Sequence, residues 1–272
     1  MNIKPRPSNR NRSHEFGGLL VASAPLLLFL LAPFVALVAA IHPAEWWMSV
    51  RSLDALQALF LTIETTVIAT AICVATGLPV ALLLARHQFP GHRLLDTLVD
   101  LPISIPPVVA GVCLLLAFGR EGLIGRHLDA FGIDIGFTTA AVVMAQVMIA
   151  SPFFVKTVRA GLEGVDPDIE NAARLAGAST LRVFWTITIP LAAPSLVAGT
   201  LLCWARALSE FGATMMFAGN FPGRTQTLPL EIFSAFETNL DSAIAVSTLA
   251  LILSIVALIA ARSLAKRWNV GW

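Results

Sequence analysis

Long apolar runs fill most of this chain, and one polar, helix-prone island, Asp166 to Pro190, interrupts them. About 20 mostly apolar residues are enough to cross the hydrocarbon core of a bilayer. Six runs of that order occur, roughly Leu19–Ile41, Ala58–Ala85, Leu101–Phe118, Phe137–Val158, Pro190–Phe217 and Ala243–Ala261. They predict an all-α polytopic membrane protein with six transmembrane helices. The first run follows Lys4, Arg6, Arg10 and Arg12, as a signal peptide would, but it exceeds the 7–15 residues of a signal h-region and no small-residue cleavage site follows it. It is read as a retained span. The domain plan is then an N-terminal arm, residues 1–18, and one membrane domain, residues 19–272.

The third run opens with Leu101-Pro102-Ile103-Ser104-Ile105-Pro106-Pro107. Two readings stand side by side. The prolines start the span, where a missing N–H costs little, or they break it into half-helical pieces whose backbone is satisfied by neighbours or by a cavity.

The island has an internal grammar. Asp166 followed by Pro167 reads as an N-cap with proline at the first helical position. Asp168 and Glu170 place acids in the first turn, where they complement the helix dipole. Ile169, Ala172, Ala173 and Ala176 then form a stripe of mainly small apolar residues at helical spacing. Gly177 ends this helix, Ser179 caps a second one through Leu181, Val183 and Phe184, and Pro190 opens the fifth span. Two short helices at roughly a right angle follow from this pattern. Their small-residue face suits either a close visit by another protein or packing on the chain's own bundle.

Composition agrees with the span count. Hydrophobic residues make up 57% and charged residues 13%, with a mean hydropathy of +0.79, against about a quarter charged in soluble domains. A net charge of +1 gives no field that would attract nucleic acid. The distribution of cations says more. Lys and Arg in the arm, after span two, in the island region and in the tail number thirteen, against four in the alternate loops (Arg51, Arg120, Arg126 and Arg224). That bias puts both termini in the cytoplasm. Trp46, Trp47 and Trp268 read either as interfacial anchors or as ordinary packing.

Candidate chemistry is sparse. No GxxxxGK[ST], HExxH, GxSxG or CxxC pattern occurs, so no catalytic residue and no metal ligand is assigned. Cys73, Cys113 and Cys203 sit in apolar runs as packing residues. His14, His42, His87, His92 and His127 are dispersed and form no cluster along the sequence. Charges at bilayer depth usually face an interior or a cavity. Arg206 and Glu210 share a helix face and can pair, either as a structural bridge or, with Ser209, as a polar stripe facing a path through the bundle. Glu64 and Thr66 are the candidates in span two. Thr62, Thr65 and Thr66 share one face, most of their hydroxyls bonding back to the helix. Gln146 and Ser151 are candidates in span four. Asn220, Arg224, Thr225 and Gln226 fall in a Gly- and Pro-rich loop that serves as a gate, as a docking surface or simply as an exposed connection.

Asn171-Ala172-Ala173, Gly177, Ile187, Ile189 and Pro190 have the spacing of E-A-A, three residues, Gly, nine residues, I-x-L-P. That is the cytoplasmic loop of permease subunits in binding-protein-dependent ABC importers, which the chain resembles. Asn171 stands where that motif has Glu, Ile189 where it has Leu, and Glu170 offers a carboxylate one position early. Ala207-Leu208-Ser209-Glu210-Phe211-Gly212-Ala213-Thr214, Phe217-Ala218-Gly219-Asn220 and Pro222 to Leu230 are similar to the molybdate branch, with the sulfate/thiosulfate permeases close to it. The similarity runs from about Leu56 to the C-terminus.

The resemblance implies the type I permease fold, with residues 159–189 as the coupling segment. Glu170, Asn171, Ala172, Ala173, Gly177, Ala178, Ile187 and Pro190 would meet the ATPase. It further implies a homodimer, two copies of a soluble ABC ATPase that carry the ATP and Mg, no cofactor on this chain, and a periplasmic or lipoprotein oxyanion-binding protein. The setting is a bacterial or archaeal cytoplasmic (inner) membrane, and the cargo is an oxyanion, molybdate first, with tungstate and sulfate/thiosulfate as alternatives. A proton-coupled secondary transporter is the reading from another class, and it would call for several buried acids and an internal repeat.

Overall fold

With no water in the hydrocarbon core, a spanning segment must satisfy its own backbone N–H and C=O groups, so the apolar runs fold as helices. The computed structural model describes the backbone of residues 9–267 and side chains over 21–259 and at Ser263. Trp268 and the first eight residues of the arm lie outside the described residues. In chain order the helices are α1 (Asn9–Ala39), α2 (Pro43–Val50), α3 (Leu53–Arg86), α4 (His92–Ser104), α5 (Pro107–Phe118), α6 (Gly125–Asp129) and α7 (Thr139–Glu163). They continue as α8 (Pro167–Leu175), α9 (Thr180–Val183), a π-turn (Phe184–Thr188), α10 (Ile189–Leu208), α11 (Gly212–Phe217), α12 (Leu228–Thr238) and α13 (Leu240–Arg267). Five helical stretches are long and apolar enough to cross a bilayer, six if α4 and α5 count as one broken span. This is the all-α polytopic class read from the sequence.

The centre is built by α3, α7 and α10. Cys73, Ala81 and Leu84 pack with Phe154, Val155, Val158 and Leu162 and with Ala192, Cys203 and Ala207. Small residues let these backbones approach closely, as expected where lipid supplies no hydrophobic drive between helices. A β-carbon on Gly161 would lie 2.1 Å from the Ser195 side chain, and one on Gly77 would lie 2.8 Å from Phe154. A second core joins α5, α7 and α11 through Leu114, Ile149 and Phe217. A third joins α3, α12 and α13 through Ala58, Leu228 and Val246. The span Val21–Ala39 of α1 buries no side chain and presents its leucines and phenylalanines outward.

Two boundaries differ from the sequence reading, and at span three the structure selects the second of its two alternatives, a span broken by its prolines. α4 and α5 meet at a 117° bend, because Ile105 precedes Pro106 and Pro106 precedes Pro107, and a residue before proline is pushed out of the α region. Both are extended, with ψ of 148° and 136°. α4 instead lies against α7, tied by Asp96 to Arg159 and by Asp100 to Lys156. Span five ends at Leu208 rather than Phe217. The Glu210 carboxylate accepts the Ala213 N–H at 2.8 Å and starts the separate helix α11. Finally, Pro190 does not open span five. The helix runs on from Thr180, and the π-turn just ahead of Pro190 relieves the clash a proline makes with the carbonyl four residues back.

Candidate functional site

The island folds from its own capping signals. Asp166 Oδ1 accepts the Asp168 N–H at 2.9 Å and Pro167 is the first residue of α8. Gly177 closes the helix at φ +91°, a left-handed conformation that suits glycine. The Ala178 N–H reaches back to the Ala173 carbonyl at 3.0 Å. Ser179 Oγ then caps α9 by accepting the Arg182 N–H at 3.3 Å.

The polarity of α8 is inverted. Its apolar residues face outward, with Leu175 90% and Ile169 48% exposed, while its one buried residue is Glu170, 6% exposed. Asn171, Ala172, Ala176 and Gly177 are exposed, and Ala173 and Ala178 are half-buried. Leu181 and Trp185, 68% and 59% exposed, extend the apolar surface beyond the expected stripe. Ile187 is half-buried and Pro190 exposed on the helix that follows. Nothing lies within 4 Å of a β-carbon built on Gly177. The face expected for a visitor is therefore open.

Glu170 points the other way. Its Oε1 accepts from Arg86 Nη2 at 2.9 Å and from Thr188 Oγ1 at 2.7 Å, and Arg174 stands 3.7 Å from Oε2. Arg86, the last residue of α3, also reaches the Val165 carbonyl at 3.4 Å. A cavity of about 540 Å³ lies under the helix, lined in part by Arg86, Glu170, Arg174, Thr180, Phe184 and Thr188. Sequence reasoning counted Arg86 only as a loop charge and passed over Thr188, Leu175 and Trp185. The one available signal was a lone threonine pair in the apolar run Phe184 to Pro190.

Within the spans, Arg206, Ser209 and Glu210 come together. Arg206 Nη2 bonds Glu210 Oε2 at 2.9 Å, and Nη1 lies 3.4 Å from Ser209 Oγ. With its other oxygen on the Ala213 N–H, Glu210 is 1% exposed and fully engaged. Thr66 belongs to a separate buried seam. Its hydroxyl donates to the Thr62 carbonyl at 2.7 Å and accepts from Trp204 Nε1 at 3.1 Å. In the same seam Gln146 Nε2 bonds Thr65 Oγ1 at 3.1 Å, and the Leu228 N–H bonds Thr62 Oγ1 at 2.8 Å. These threonines bond back to their own helix and also cross-link α3 to α7, α10 and α12. Glu64 stands apart, exposed on the outward stripe of α3. A groove of about 550 Å³ between α10, α12 and α13 has Thr62, Trp204, Ser209 and Ser254 among mostly apolar walls.

Of the four polar candidates in the loop after α11, Arg224 is exposed, Thr225 and Gln226 are buried and Asn220 is half-buried. Asn220 and Gln226 both donate to Ser234 Oγ, at 2.7 and 3.2 Å, and brace the loop from inside. The histidines need one correction. His42, read as isolated, sits beside Glu45 and Asp241 with ligand-capable atoms all within 4.8 Å of one another. His42 Nδ1 lies 3.5 Å from Asp241 Oδ1. The fold joins residues from the two ends of the chain there, which no sequence spacing reveals.

Comparison with known proteins gives a consistent picture. Residues 77–270 match the family described as binding-protein-dependent transport system inner membrane component. The chain is 40% identical over 245 residues to the molybdenum transport system permease protein ModB of Mycobacterium tuberculosis, covering 90% of this chain and 92% of that protein. With ModB of Escherichia coli it shares 43% over 183 residues, 67% of this chain and 80% of that one. A probable sulfate transport system permease protein of Chlorokybus atmophyticus is 33% identical over 247 residues, 87% and 85% of the two chains. Among solved structures, a bacterial ABC transporter that imports the acidic polysaccharide alginate superposes with a TM-score of 0.75 at 16% identity, over 95% of this chain and 96% of that chain. The MetNI methionine ABC transporter does so at 0.62 and 19%, over 84% and 99%.

Proposed function

This chain belongs to the binding-protein-dependent transport system inner membrane components, and from that membership we propose that it is the permease through which an ATP-driven importer admits molybdate. As a member of this family it is a transport subunit, not an enzyme. The observation that carries the reading is the inverted α8. An exposed Leu175 and Ile169 beside Ala172, on a capped helix that hides its acid, make an apolar knob for a soluble partner's groove. Asn171, Ala172, Ala173, Gly177 and Ala178 complete that contact, and Leu181 and Trp185 widen it.

Two copies of the chain enclose the pathway, and two ATPase subunits, carrying ATP and Mg, hold the α8 helices on the cytoplasmic side. The lysine and arginine bias supports that orientation, with both termini in the cytoplasm. ATP binding draws the ATPases together and carries the α8 helices inward. The bundles then turn their opening toward a loaded extracytoplasmic oxyanion-binding protein, which Arg224 helps to meet. An exposed carboxylate at membrane depth is costly against lipid, so Glu64 belongs on the face toward the pathway and the second copy. Arg206 attracts the divalent oxyanion while Glu210 tempers its charge, which keeps binding weak enough for release.

Molybdate ranks ahead of sulfate because the identity to the molybdenum permeases, 40% and 43%, exceeds the 33% to the sulfate permease. The test is uptake into vesicles bearing the complex of this chain with its ATPase and binding protein, with molybdate, tungstate and sulfate in competition. ATP-dependent uptake with molybdate preferred is expected. Uptake that proceeds without the ATPase and follows a proton gradient would overturn the importer reading, and a sulfate preference would overturn the cargo.

A further inference from the structure

A helix that shows its apolar residues to solvent and buries a glutamate is held to its own protein by that glutamate. We propose that Glu170, gripped by Arg86 and Thr188, is the positioning residue that passes the motion of α8 to the membrane helices. This rests on the permease reading above and names the link within it.

The geometry gives Glu170 two grips on separate bodies. Arg86 closes α3, a central helix of the first core, and Thr188 ends the π-turn that leads into α10. One carboxylate oxygen receives both donors, at 2.9 and 2.7 Å. The same guanidinium holds the Val165 carbonyl, at the start of the connection into α8. A push on α8 thus reaches two spans through a single group.

Apolar packing anchors only the flanks of α8, through the buried Val165 and Val183, and no apolar side chain of α8 itself is buried. The space beneath α8 is a cavity of about 540 Å³ rather than an interlocked core, and tight interdigitation is what transmits displacement between apolar surfaces. The polar links at the cavity wall bear the load instead. The π-turn adds compliance at the point of transfer, since π-bulges are where otherwise regular helices kink and are frequent at functional sites. Arg174 remains on α8 and moves with it, so its approach to Glu170 orients the carboxylate without tying it to the bundle.

The experiment uses the complex of this chain with its ATPase and binding protein in vesicles. It measures ATPase co-purification, ATP hydrolysis and oxyanion uptake together. Glu170→Gln keeps the shape and removes the charge while leaving the outward face of α8 untouched. Co-purification and hydrolysis are expected to stay near wild type, while transport per ATP falls about tenfold, the scale of a charge-assisted bond replaced by a neutral one. Thr188→Val, which removes one grip, should show a smaller loss of the same kind, and Thr188→Ser should restore it. Wild-type transport per ATP in both Glu170→Gln and Thr188→Val overturns the proposal. So does a loss of uptake that merely tracks lost ATPase association, because Glu170 would then only shape the docking face. Should Glu170→Gln fail to assemble, the Thr188 pair decides alone. A wild-type complex that binds no ATPase or moves no oxyanion defeats the functional reading itself, and the proposal with it.

Discussion

Replacing Gly177 separates the two roles of the α8 terminus, ending the helix and, under the proposed function, admitting the ATPase. The residue sits at φ +91° with open space around a would-be β-carbon. Any side chain there incurs left-handed strain of about 1–2 kcal/mol, less for asparagine, which tolerates this conformation. No steric cost adds to it. A shift in melting temperature of about 2–4 °C per kcal/mol is the scale for a chain of this size. Gly177→Asn and Gly177→Asp differ only in an amide against a carboxylate, so their strain is nearly equal. Only the aspartate brings a charge that a docking groove must desolvate. Melting of the solubilised permease should therefore fall by a similar few degrees in both variants. ATPase retention on an affinity column should drop at least about tenfold, or about 1.4 kcal/mol, for Gly177→Asp alone. Equal, wild-type retention in both variants would place the docking surface elsewhere. A collapse of melting in both would refute the claim that this position is sterically free.

Three further outcomes follow from the packing. Thr62→Val keeps the shape but strips the acceptor from the buried Leu228 N–H, now satisfied at 2.8 Å; a loss of about 1–3 kcal/mol is expected, read as lower thermal stability with α-helical content unchanged. Gly161→Val forces α7 away from Ser195, where even a β-carbon would sit at 2.1 Å; overpacking of this kind costs about 1–3 kcal/mol, and Ser195→Gly in the same chain should recover part of it. Burial first, and the nearby Asp54 carboxylate second, raise the Glu231 pKa above the usual range. The folded protein then holds that proton more tightly than the unfolded chain. The contribution is fully present below the ordinary value of about 4.3 and is lost as pH rises through the elevated one. Glu231→Gln should flatten the fall in melting temperature across that window, and an unchanged pH profile would count against the burial argument.

The sequence alone determined what depends on local chemistry and on the solvent around each segment. Apolar run lengths gave the spans, because a bilayer enforces helices. Asp166, Pro167, Gly177 and Ser179 gave α8 and the start of α9, because caps act within a few residues of themselves. The pairing of Arg206 with Glu210 followed from four-residue helical spacing. The direction in which α8 faces was set by tertiary contacts. Its periodicity marks a stripe but carries no sign, and the sign comes from Arg86, brought in by a distant helix, and from Thr188, set by the π-turn before Pro190. The early end of span five is of the same kind, since it depends on whether a neighbour can satisfy the interrupted backbone, whereas the bend at Pro106–Pro107 follows from the local restriction on a residue before proline. Glu210 could continue a helix or cap a new one, and the placement of Gly212 against Pro107 and Val108 settled the choice.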